Sequence, residues 1–96
     1  MFVVQLKFAG AKAKAPEFME AHKDWIRQGF EDGVFLMVGS LQPNAGGAVI
    51  AHNIARDALE RRVAEDPFVS EGVVEAEIVE ISPARTDARL SFLMAS

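Results

Sequence analysis

Cysteine is absent from the 96-residue chain, which excludes disulfides, thiolate zinc sites, iron–sulfur clusters and a cysteine nucleophile. Positive charge is scarce. Ten Lys and Arg stand against fourteen Asp and Glu, a formal net charge of -4, with a pI near 5.1. A nucleic-acid binder normally carries a basic stripe, so nucleic acid is not an expected partner. No apolar run approaches the length that spans a bilayer, and the first residues show no basic leader followed by an apolar segment. The expectations are therefore no membrane contact and a cytoplasmic location. His22 and His52 are too far apart in sequence to form a ligand motif, so no metal is expected. Gly46-Gly47 precedes no helix in a glycine-rich pattern, so it reads as a turn rather than a phosphate loop. Neither a metal nor a cofactor is called for.

What the chain does have is apolar residues, 50% of the total, enough for one small domain whose stability oligomerisation would supplement. Phe2, Val4, Leu6 and Phe8 alternate with Val3, Gln5 and Lys7, the period of a strand with a buried face. Residues 11–15 break that alternation as a short linker. Pro16 then suits the first turn of a helix, with Glu17 and Glu20 near its positive end. Phe18, Met19, His22, Trp25, Ile26, Gly29 and Phe30 make one broad inward stripe that stops at Gly33. Glu31 and Asp32 oppose the helix dipole there, so the last turn is expected to fray.

Residues 34–41 are apolar at odd and even positions alike, the mark of a strand covered on both faces. Residues 42–47 read as a hairpin loop and residues 48–52 as the return strand. A second helix follows, with Ala55, Ala58, Leu59 and Val63 facing inward and Asn53 the only good capping residue nearby. Pro67 ends it by about Glu65. Residues 73–81 form the last strand, with Val74, Ala76 and Ile78 on one face. The order strand, helix, strand, strand, helix, strand predicts an α+β, ferredoxin-like βαββαβ protomer, its antiparallel four-stranded sheet carrying two helices on one face. The other face would then be apolar and bare, which two sheets pairing across a twofold axis would resolve. The chain itself, as a homodimer or higher even oligomer, is thus an expected partner. Leu90, Phe92, Leu93 and Met94 are too apolar for a free end, so the tail, residues 83–96, is expected to pack on its own or a partner protomer.

Few titratable groups are placed to do chemistry. His22 lies on the inward stripe of the first helix, and Asp66 at the junction between the second helix and the last strand. Two helices side by side on one sheet would let them approach. A carboxylate that accepts a hydrogen bond from one imidazole nitrogen fixes the tautomer and raises the basicity of the other, the minimum for proton transfer. The same pair also serves as a structural clasp, because Asp before Pro readily holds backbone amides. Ser40 follows Gly39 beside the hairpin without a Gly-x-Ser-x-Gly elbow, so a serine hydrolase is disfavoured; contact with an unknown small-molecule ligand is the role left to it. Trp25 reads as core first and as a substrate-binding residue second. His52 closes a strand and needs no functional role.

Ala21-His22-Lys23-Asp24-Trp25-Ile26 resembles the His-x-x-aromatic-aliphatic signature on the first helix of the YCII-related (YciI-like) family. Glu65-Asp66-Pro67-Phe68-Val69-Ser70-Glu71-Gly72-Val73 resembles that family's Asp-Pro-aromatic-Val motif, and Gly39 matches the glycine closing its second strand. The similarity covers residues 1–82. It implies a dimeric α+β barrel of ferredoxin-like protomers, with His22 and Asp66 at the positions of the family's proposed catalytic pair in a cleft near the dimer interface. It departs at Met19, where many relatives carry arginine, and at Gly39-Ser40, where many carry Gly-Pro. The function expected from this equipment is that of a cofactor-free small-molecule enzyme using a His–Asp pair for isomerisation or elimination. The alternative is a non-catalytic dimeric metabolite-binding or interaction module in which the pair is structural.

Overall fold

The computed structural model describes residues 1–95; Ser96, the last residue of the expected tail, lies outside them. Strand β1 (Phe2–Phe8) leads through a 3-10 turn into helix α1 (Ala15–Glu31), which is followed by β2 (Phe35–Leu41) and β3 (Gly46–Ala51). Helix α2 (Arg56–Ala64), a four-residue helix α3 (Pro67–Ser70) and β4 (Val74–Glu80) complete the domain, and a kinked 3-10 segment, Ala88–Ala95, follows. The strands form one sheet in the order β2-β3-β1-β4, each neighbouring pair antiparallel. This is the α+β, ferredoxin-like architecture that the element order predicts. None of the described helices is long and apolar enough to cross a membrane.

The register explains which residues form the core. Val4 stands opposite Val49 on one side and Ile78 on the other, and Phe2 opposite Ala51. The alternation in β1 therefore puts Phe2, Val4 and Leu6 on the face that packs with Leu59 and Val63 of α2 and Phe68 of α3. Full burial of such side chains is worth roughly 1.5–3 kcal/mol each. Helix α1 carries Pro16 in its first turn and stops before Gly33, whose φ of 72° suits a residue without Cβ. Gly29 is the one buried residue of α1. A Cβ there would run into the Phe35 ring, so its absence sets how closely the helix approaches β2. Phe30, expected to face inward, is instead half exposed, because the next step round the helix leaves it on the flank with only an edge-on contact to Phe35.

The end of α1 is held where its acidic residues suggested fraying. Arg62 of α2 donates to Asp32 Oδ2 at 2.8 Å and Gln28 to Oδ1 at 3.1 Å. These bonds, led by that from Arg62, hold the Asp32 carboxyl below its ordinary value of 3.8. A depressed folded-state pKa adds stability that is fully present above the unfolded value and is lost as pH falls through the folded one. Asp32→Asn is therefore expected to melt lower than wild type near neutrality, with the difference closing as pH drops below 3.8. Thermal melts across that range check it.

Two further boundaries differ from the sequence expectation. β3 begins at Gly46, two residues before Ala48, because Gly46 and Gly47 pair with Lys7 and Leu6 of β1 rather than turning. The loop is thus confined to residues 42–45, with a cis bond at Gln42-Pro43 and Asn44 at positive φ. Asn53 also takes positive φ and leaves Ala55 at the N-cap of α2, without a side-chain cap.

The sheet face away from the helices carries an apolar row across all four strands: Met37, Ile50, Val3 and Val79 are successive partners. Met37 is 58% and Val79 39% exposed. β2 is thus open on that side, and Val38 on its other face is half exposed as well. In the tail, Leu93 is buried while Leu90, Phe92 and Met94 are exposed, and the Phe92 ring meets His52 edge-on at 5.5 Å.

Candidate active site

Asp66 and Pro67 make a compact helix start. Asp66 is extended (φ -62°, ψ 123°) and its Oδ1 accepts the Phe68 N–H at 3.0 Å, while Pro67 occupies the first turn of α3, where a missing N–H costs nothing. The same oxygen faces α1 and meets His22 Nδ1 at 2.8 Å. Asp66 is fully buried and the His22 side chain is 13% exposed. Oδ2 of Asp66 is also buried and has no partner among the described residues. An ionised carboxylate only accepts hydrogen bonds, so in the neutral ring this contact favours the tautomer with the proton on Nδ1 and the lone pair on Nε2.

The ring is held by stacking as well as by this hydrogen bond. Phe68 lies parallel to it, centroids 3.9 Å apart and planes within 4°. Trp25 is nearly parallel at 6.1 Å. One short segment, Asp66-Pro67-Phe68, thus fixes the imidazole both in its plane and across its face.

His22 lines a cleft of about 360 Å³ between the helices and the sheet. Phe8, Met19, Val38, Phe68 and Val74 contribute to its apolar wall, and Gly46 and Gly47 leave the sheet bare beneath. Gly46 has φ of 132°, and a Cβ there would collide with the Leu6 carbonyl oxygen, so only glycine lets β3 lie this close to β1. His22 and Ser40 are the polar side chains of the lining. Among the described residues, no three His, Asp or Glu side chains converge where they could hold a metal ion.

The structure thus brings His22, Asp66 and Ser40 to one corner of the fold. Trp25 does not line the cleft. Its indole N–H donates to the Arg62 carbonyl at 2.8 Å and its ring packs edge-on to Phe35, so it joins α1 to α2 and β2. His52 lies elsewhere, at the end of β3, with Nδ1 buried and unpartnered among the described residues. Phe68, Val38 and the Gly46-Gly47 floor are site features that sequence reasoning did not single out. Two adjacent glycines leading into an apolar run were the available signal, since glycine inside a strand marks a close approach or a bare patch.

The family model for the YCII-related domain matches residues 1–83 of the chain. No curated protein matches it.

Proposed function

The chain belongs to the YCII-related family, and on that premise we propose that it is a small-molecule enzyme, independent of cofactors, in which His22 moves a proton and Asp66 orients it. One observation carries this reading: the 2.8 Å contact between His22 Nδ1 and a buried carboxylate, on a ring that borders a cleft. Nε2 would take a proton from an acidic C–H of the substrate. Returned to another carbon, that proton completes an isomerisation; kept while a β-substituent leaves with its electron pair, it completes an elimination. Ser40, on β2 in the same lining, would touch the substrate. A general base of this kind is worth roughly 10²–10⁴-fold in rate. Once profiling has found a turnover, His22→Asn is expected to keep the fold and lose activity by about that factor, and Asp66→Asn to lose less.

A second reading has its own support: Asp66 Oδ1 already caps α3, so the pair also works as a clasp. The two separate in a single experiment. A clasp predicts that His22→Asn melts far below wild type while turnover persists in the folded fraction.

The enzyme is proposed to work as a cytoplasmic homodimer through the row Met37, Ile50, Val3 and Val79, because a bare apolar band across a whole sheet is uncommon on soluble monomers. Sedimentation at micromolar concentration should show a dimer, and Met37→Glu a monomer of unchanged circular dichroism. A monomeric wild type contradicts this assembly.

A further inference from the structure

We infer that the cleft selects an uncharged, largely apolar compound about one ring in size, whose acidic O–H or C–H meets His22 Nε2; this rests on reading the cleft as the substrate site. Its volume, about 360 Å³, lies at the small end of ligand pockets. No Lys or Arg lines it. Of the lysines on the neighbouring segments, Lys12 sits over the Phe8 ring, 4.5 Å from its centroid, and Lys7 faces Glu77 at 3.6 Å on the other side of the sheet. An anion entering the cleft would give up its water without gaining a counter-charge. A cation fares no better. No carboxylate reaches the lining, and Asp66 is fully buried behind His22. What remains is a largely apolar, partly open cleft with two polar side chains, His22 and Ser40, suited to one polar end of a neutral molecule.

Three probes of one skeleton test this: benzyl alcohol, benzoate and benzylammonium, each titrated into the full chain. The His22 imidazole and Met19 methyl NMR signals report binding. Benzyl alcohol is expected to shift both signals saturably, with each charged probe binding roughly tenfold or more weakly, since ions are costly to desolvate. If benzoate or benzylammonium binds as tightly as the alcohol or more so, the charge selectivity is wrong while the cleft stands as a ligand site. If none of the three moves either signal, the cleft is not a site for such compounds, and the substrate-site reading falls together with this inference.

Discussion

Asp66→Ala is expected to destabilise the domain by about 2–6 kcal/mol, because it leaves two buried donors without their acceptor. Asp66 Oδ1 serves two donors, the Phe68 N–H at 3.0 Å and His22 Nδ1 at 2.8 Å. Its loss strands both donors where the carboxylate is fully buried, at roughly 1–3 kcal/mol each, and the Phe68 N–H is the one whose loss uncaps α3. Asp66→Asn should cost less, because an amide oxygen can still accept from Phe68. Removing His22 should cost less again, since the capping bond survives. Urea unfolding of the three variants checks the order, and an Asp66→Ala variant as stable as His22→Ala would mean that the cap carries nothing.

Gly46→Ala is expected to be the most damaging change on the cleft side of the sheet. The φ of 132° is nearly closed to residues with a Cβ, and the added carbon meets the Leu6 carbonyl oxygen, part of the β1 backbone. Backbone strain alone is worth roughly 1–3 kcal/mol, and the clash cannot be relieved without separating β1 from β3. Stability and ligand binding should therefore fall together. Gly39→Ala is the control, because Gly39 also lines the cleft but has nothing within 4 Å of the added carbon. Melting temperature and probe binding measured on both variants separate the effects.

Most of the fold was legible because β1 and the long helix each turn one regular face toward the core. β1 showed its period of two, α1 its stripe, and Pro16 and Gly33 its limits. The pair was legible in part: helix-facing spacing and Asp before Pro indicated that His22 and Asp66 would approach. What resisted reading depends on local geometry without a periodic trace. Helix α3 is a single turn, too short for a stripe, and its signature is only Asp66 at the cap with Pro67 behind it. Gly46 and Gly47 looked like turn residues because glycine signals a turn and a bare strand floor alike; only the register against Lys7 and Leu6 distinguishes them. The exposure of Val38 and the outward position of Phe30 arise from how α1 lies across β2, and Trp25 turns to the Arg62 carbonyl because its N–H needs a partner where it packs.

The central claim is that Asp66 holds His22 in the tautomer that offers a bare Nε2 to the cleft. A long-range ¹H–¹⁵N correlation spectrum of the His22 ring in its neutral form tests it directly. The account predicts a protonated Nδ1 and an Nε2 carrying only its lone pair, with the Nε2 resonance moving when benzyl alcohol is added. A ring protonated at Nε2, with Nδ1 bare toward the carboxylate, would contradict it.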